Sequence, residues 1–390
     1  MKKVFFLLLL FCCIVQLASA QKVDINKVLK VAKVQYASYI KTYPDSTKHP
    51  RSSKEDGSID ITSSRNWTSG FFAGNLWYLY QFTKDNKWKI NADKWTCTLE
   101  NEKNTKTTHD LGFILYCSYG NAYNITKDDK YKDVLLQGAK SLSTRFSPVV
   151  GAIRSWDLST YHYPVIVDNL MNLEYLCWTY NITNDTTYRN IVTSHANTDM
   201  KYRFRKDSSS FHVLDFDGAS GKLLRRVTHQ GLNDSSCWAR GQAWAIYGYT
   251  MLYRETKNIE YLNTAKKAAG YFINKINQTK DFIPNWDFND NTTNAPKDAS
   301  AAAVAASGLL ELSKYDINKK SIYYKTAEKI LASLCTDEYL AAPNSNNFFL
   351  LKHSTGNKPA NSEIDTPLVY ADYYFLEALW RYKNYSTLKN

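Results

Sequence analysis

Helical segments recur in pairs about every sixty residues along this 390-residue chain, and that period limits the fold more than any other feature. Apolar residues at Ile25, Val28, Leu29, Ala32, Tyr36 and Ile40 set the first segment, which Pro44 ends. Helical spacing then continues over 69–82, 87–102, 110–123, 129–145, 165–180, 185–202, 236–256, 259–276, 298–315, 318–334 and 362–382. Short polar connections such as 126–129 and 181–185 join these segments as hairpins. Strand patterning is confined mainly to Phe211–Phe216 and Leu223–Val227, flanking a turn at 217–222. A helical hairpin needs neighbours to bury its remaining apolar face. Six in succession predict an all-α, (α/α)6 barrel, with one inner and one outer helix per hairpin and a few short strands in the loops. The long connections 146–164, 206–233, 278–297 and 337–361 would gather at the mouth, where function is expected.

Lys2 and Lys3, the apolar run 4–15 and Ala18-Ser19-Ala20 form a secretory signal peptide over 1–20, with a run too short for a permanent span. Phe11 ahead of Cys12 disfavours a lipobox. Export to a bacterial periplasm, or release beyond it, is therefore expected. No linker or change of composition interrupts 21–390, which reads as a single domain.

The formal net charge of +12 would suit nucleic acid, an anionic membrane surface or an acidic polysaccharide. The lysines are dispersed, and no zinc finger or RNP motif is present, so nucleic acid is excluded as a partner. Five scattered cysteines beyond the leader, without a C-x-x-C, argue against both a disulfide framework and a zinc site. There is no H-E-x-x-H, G-x-S-x-G, P-loop or dinucleotide fingerprint. Neither a metal nor a cofactor is expected, and oligomeric state is not legible.

Thr228–Trp244, THQGLNDSSCWARGQAW, is too polar for a core helix and too aromatic for a solvated loop. Such a mixture suits a sugar site, where aromatic faces stack on pyranose rings and Gln, His and Arg orient hydroxyls and carboxylates. Three acidic residues stand at expected helix starts: Asp110, Asp168 and Asp234. A lone Asp there is most often a helix cap. Asp168 departs from that reading, because the apolar Pro164–Val167 before it would desolvate its carboxyl and raise its pKa. From the residues alone, an ordinary glycosidase with two carboxylates stays open. His212 and His229 stand out among seven histidines by lying in or near the aromatic, polar segment. N-x-S/T sequons such as Asn66-Trp67-Thr68 are attributed to chance in an Asn-rich chain.

Four motifs in order, Asn66-Trp67-Thr68-Ser69-Gly70-Phe71, His109-Asp110-Leu111-Gly112-Phe113, Val167-Asp168-Asn169-Leu170-Met171-Asn172 and Trp238-Ala239-Arg240-Gly241-Gln242-Ala243-Trp244, resemble the unsaturated glucuronyl hydrolases. The likeness extends to Tyr373-Tyr374-Phe375-Leu376-Glu377-Ala378-Leu379 and implies the same (α/α)6 barrel. It implies a hydrolase of unsaturated acidic oligosaccharides of chondroitin, hyaluronan or heparin type, the products of polysaccharide lyases. Asp168 would be the general acid and base in hydration of a C4=C5 double bond, and Asp110 the second essential carboxylate. Trp67, Trp156, His212, Gln230, Arg240 and Trp244 would contact substrate, with Arg240 favouring the uronate or pairing instead with Asp168 or Asp110. Some relatives that prefer sulfated substrates carry Ser-x-x-Ser-x-Lys near the mouth. Here His353-Ser354-Thr355-Gly356-Asn357-Lys358 keeps Lys358 without both serines in register. Two rivals remain at this point: an unsaturated rhamnogalacturonyl hydrolase, which typically has Arg-Gly-Asn at Arg240-Gly241-Gln242, and a carbohydrate-binding barrel without catalysis.

Overall fold

The computed structural model describes residues 22–385, so the leader expected at 1–20 lies outside the described residues. The helices are α1 (Ile25–Thr42), α2 (Ser69–Thr83), α3 (Asn86–Cys97), α4 (Asn121–Thr126), α5 (Asp129–Ser143), α6 (Asn169–Thr183), α7 (Thr186–Tyr202), α8 (Ala239–Thr256), α9 (Ile259–Ile276), α10 (Ala299–Leu312), α11 (Lys320–Leu334) and α12 (Val369–Lys383). A π-helical segment, Gly112–Gly120, runs directly into α4. Helix α2 packs on this segment, which packs on α6; contacts then pass from α6 to α8, α10 and α12, and α12 returns to α2. This closes an inner ring, and α1, α3, α5, α7, α9 and α11 surround it as the (α/α)6 barrel.

Burial separates the two layers. Every residue of α10 is buried, and α8 is buried from Ala239 to Leu252, whereas α9 buries one stripe that includes Tyr261, Ala265, Ala268 and Phe272. Inner helices touch protein on all sides and so need apolar or small residues all round; outer helices need them on one face. No helix among the described residues is long and apolar enough to cross a membrane. Of the cysteines in the described chain, all are free; Cys97 is exposed and Cys117, Cys177, Cys237 and Cys335 are buried.

The turns from inner to outer helix repeat one chemistry: Thr83-Lys84-Asp85, Thr126-Lys127-Asp128, Thr183-Asn184-Asp185 and Thr256-Lys257-Asn258. The middle residue is left-handed, with φ of 57° or 58°, and its N–H closes the last helical turn. The next side chain accepts the N–H two residues on, capping the outer helix. Asp185→Ala should therefore cost about 1 kcal/mol in chemical denaturation. Turnover should be unchanged, because these turns lie at the end of the barrel away from the long loops.

The strands are β1 (His49–Ser53), β2 (Ile59–Thr62), β3 (Phe146–Ser147), β4 (Ala152–Ile153), β5 (Tyr163–Ile166), β6 (Val213–Phe216) and β7 (Leu223–Val227). The expected hairpin is present as β6–β7, with β5 added antiparallel to β6. Strand β5 corrects the helix expected from 165, which begins only at Asn169. Short apolar runs rich in Val and Ile serve either structure, and here β6 supplies the partner. The helices expected from 236 and 362 begin at Ala239 and Val369. In the second case, Asn361, Glu363 and Asp365 have positive φ, which a helix does not allow. The segment expected over 87–102 ends at Cys97.

Candidate active site

Connections from outer to inner helices all open at the N-terminal ends of the inner ring, and two arginines hold them in register. Arg203, fully buried and paired with Asp199, donates to the carbonyls of Phe211, His212 and Val165. It thereby fixes the edges of β5 and β6 that lead into Asp168 and His212. Arg145 donates to the carbonyls of Lys106, Arg154 and Ser155 and to both carboxylate oxygens of Asp157. That ties the approach to Asp110 to the loop carrying Trp156. Both clamps use all the directions of a planar guanidinium, which a lysine could not reproduce.

Asp168 stands at the start of α6, yet its side chain caps nothing. Its Oδ2 is buried without a hydrogen-bond partner. Burial, and next the neighbouring Asp110, push its carboxyl up to about 7. His212 Nε2 lies 3.8 Å from that oxygen. The other ring nitrogen, Nδ1, accepts the backbone N–H groups of His229 and Gln230 at 3.2 and 3.1 Å. Burial holds His212 neutral, so its single proton sits on Nε2, directed at Asp168.

Asp110 is also pushed up to about 7, by burial, against the hydrogen bonds from Thr108 and Asn172 and the charge of Arg145. Asn172, one turn into α6 from Asp168, accepts the N–H of Phe113 at 3.1 Å and so joins the two acidic segments. Gly112 is required here, since a Cβ would stand 2.5 Å from the Asn172 side-chain oxygen. His109 stacks edge-on to Trp156 and places Nε2 3.2 Å from Asp110.

Aromatic rings enclose the carboxyls. Trp156 is partly exposed and lies within 6.0 Å of the His212 ring and 4.8 Å of His229. On the other side Trp67, also partly exposed, packs on Tyr370 at 4.9 Å. Trp238 stacks on His212 at 4.5 Å, and the Arg240 guanidinium lies 4.5 Å from the Trp238 ring. Gly241 lets that Trp238 ring lie against the helix, with its nearest atom 2.7 Å from a Cβ position.

Arg240, Trp244 and Lys358 each have protein partners of their own. Arg240 pairs with Asp298, not with Asp168 or Asp110, and donates to the carbonyls of Thr355 and Gly356. It faces Trp238 and Tyr370, and these bonds from Nη1 and Nη2 brace the mouth. Trp244 is fully buried between Phe113 and Tyr374, a floor to the pocket and not an open wall. Lys358 lies 3.6 Å from Asp290 and over Trp286, outside the group around Asp168. Gln230 reaches the Gly356 carbonyl, linking its loop to the one Arg240 holds. Gln242 is a buried brace to Ser208, Ser210 and Ala268. Asp234 is exposed and ties its own loop through Thr228.

Sequence reasoning gave no role to Asn172, Trp238 or Tyr370, nor to the clamps Arg145 and Arg203. Asn172 and Trp238 lie inside the quoted motifs and were legible as candidates. Tyr370 opens α12 and becomes a neighbour of Trp67 only through ring closure.

The family model described as Glycosyl Hydrolase Family 88 matches residues 39–388. A protein of Formosa agariphila named unsaturated glucuronyl hydrolase is 48% identical over 325 residues, covering 82% of this chain and 81% of its own. An unsaturated chondroitin disaccharide hydrolase of Streptococcus agalactiae is 32% identical over 375 residues, 93% of this chain and 92% of its own. Among solved structures, an unsaturated glucuronyl hydrolase specific for heparin superposes with a TM-score of 0.89 at 48% identity, covering 93% of this chain and 97% of that one. The unsaturated glucuronyl hydrolase of Bacillus sp. GL1, responsible for the degradation of glycosaminoglycan, gives 0.86 at 28% identity, over 91% and 96%.

Proposed function

Because the chain belongs to glycosyl hydrolase family 88, we propose that it releases the terminal 4,5-unsaturated uronic acid from glycosaminoglycan fragments left by lyases. The observation that carries this reading is Asp168, a buried carboxyl raised to about 7 with one oxygen unpartnered in a pocket of aromatic rings. A carboxylic acid still protonated near neutral pH can deliver its proton to C4 of the enol ether. Positive charge then develops at C5, where water adds. The conjugate base of Asp168 takes the proton of that water, which returns the acid to its starting state. The hemiketal opens, and the glycosidic bond separates without attack at C1. One carboxyl serves both transfers, so the spacing rule for glycosidase pairs does not apply.

His212 Nε2 stands 3.8 Å from the oxygen that loses its proton, with no hydrogen bond between them, and its N–H dipole stabilises the charge that appears there. Asp110 is placed to accept sugar hydroxyls, and in so dry a pocket ionising it together with Asp168 is unfavourable. Trp156 and Trp67 offer the partly exposed faces for stacking. Six inner-helix N-termini converge at the mouth and favour the uronate anion. Heparin-type disaccharides are the proposed substrates, because a solved relative at 48% identity is specific for heparin. The leader at 1–20 supports export, with a periplasmic location proposed.

Loss of the enoate ultraviolet band should follow addition of enzyme to a heparin-type unsaturated disaccharide, faster than with chondroitin or hyaluronan counterparts. Turnover of only pectin-derived fragments would overturn the substrate class, and binding without turnover would overturn the enzyme reading. With Asp168 titrating at about 7, kcat/KM should be level below that pH and fall about tenfold per unit above it. A rate that climbs through pH 8 would contradict an acid role.

A further inference from the structure

The end of the barrel opposite the mouth carries a charge pattern that helix stability does not explain. Lys84, Lys127, Arg189, Lys257, Lys320 and Lys383 are exposed there, and each stands between 5.4 and 5.8 Å from the centre of an aromatic ring. The carboxylates of the same turns are used elsewhere. Asp85, Asp128 and Asp185 accept backbone N–H groups that cap the outer helices, and the buried Asp316 pairs with Lys266. Lysines at the ends of inner helices are ordinary, because they offset the carbonyl end of the dipole. Arg189 and Lys320 are not. They stand in the first turns of α7 and α11, where the dipole disfavours a cation, and neither turn contains an acidic residue.

Exposed isoleucines accompany these two. Ile182 closes α6, Ile259 opens α9, Ile317 lies between α10 and α11, and Ile322 is in the first turn of α11; they are 37, 55, 77 and 48% exposed. All four belong to three connections that are neighbours in the ring, since α8 packs on both α6 and α10. Partly exposed tyrosines lie between them: Arg189 covers Tyr180, and Lys257 bridges Tyr253 and Tyr315, whose rings are 5.1 Å apart. Glu260 is the opposing exposed charge on this arc.

We propose that this arc docks the enzyme on an anionic lipid surface. The isoleucines enter the boundary between headgroups and acyl chains, the tyrosines sit at headgroup level, and Arg189, Lys257 and Lys320 meet the lipid phosphates. An acidic polysaccharide would use the cations and the tyrosine faces, but it offers no alkyl surface to four isoleucines. Attachment by this end also leaves the mouth directed away from the bilayer, open to soluble fragments.

Flotation with vesicles tests the proposal, using the chain from Gln21 because the apolar run 4–15 would itself enter lipid. Binding to vesicles containing phosphatidylglycerol should exceed binding to pure phosphatidylcholine vesicles and should fall with added salt. Combining Arg189→Gln, Lys257→Gln and Lys320→Gln should weaken it about 100-fold, roughly fivefold per charge removed. Ile259→Ser with Ile317→Ser should weaken it about tenfold and leave retention on immobilised heparin unchanged. Turnover of a soluble disaccharide should be the same in the parent and both variants, because none of these residues lies at the mouth. Equal binding to the two vesicle types, or binding to neither, would overturn the proposal. Vesicle binding that survives both sets of substitutions, while the charge variant loses heparin retention, would assign the arc to polysaccharide instead.

Discussion

Asp168→Asn is expected to lower kcat/KM by about 10²–10⁴-fold, the contribution typical of a positioned general acid and base. The amide keeps the shape of the carboxyl, and no helix cap is lost, because the Asp168 side chain makes none. It has no proton to give to C4, so disaccharide binding should persist while the enoate band remains. Stability offers an independent check. A carboxyl raised to about 7 in the folded protein binds its proton more tightly there than in the unfolded chain. Its contribution is fully present below the unfolded value and is lost as pH rises through about 7. Asp168→Asn should accordingly match the parent near pH 4 and gain in melting temperature relative to it at pH 8. An unaltered rate would remove Asp168 from the chemistry; an unaltered pH dependence of melting would remove it from the buried titrating set.

Arg240→Met is expected to cost about 3–5 kcal/mol, the range for breaking one side of a buried ion pair. Asp298 is fully buried, and its partner would be gone. The carbonyls of Thr355 and Gly356 would lose donors as well, and Gln230 holds the same Gly356 oxygen. A lower denaturation midpoint should therefore come with a raised KM. Arg240→Lys keeps the charge but cannot serve Asp298 and both carbonyls together, so it should fall between the two. A midpoint within experimental error of the parent would show that Asp298 finds another partner.

The barrel was legible because its periodic signal is local and repeated. Apolar spacing of about 3.6 residues needs no knowledge of what lies opposite, and the turn chemistry at residues such as Thr183-Asn184-Asp185 sharpens each boundary. Strand β5 escaped because Tyr163–Ile166 becomes a strand only when β6 lies beside it. At the site, Asp110, Asp168 and His212 could be picked out by residue type and motif, and Trp156 only through the family resemblance. Arg145 and Arg203 could not, since most of what they bind is main-chain carbonyl, which leaves no trace in side-chain pattern. Arg240 was found, but its partner Asp298 lies 58 residues away, and Asp168 and Asp110 were equally plausible on sequence alone.

Closure of the inner ring joins α12 to α2, elements from opposite ends of the chain. One wall of the pocket straddles that seam, where Trp67 meets Tyr370. Without α12, an arc of five hairpins would leave the cleft open along one side and expose buried faces of α2 and α10 to bulk water. Ligand affinity is therefore a report on complete synthesis: a chain interrupted before α12 lacks Tyr370 and has nothing to close over the sugar.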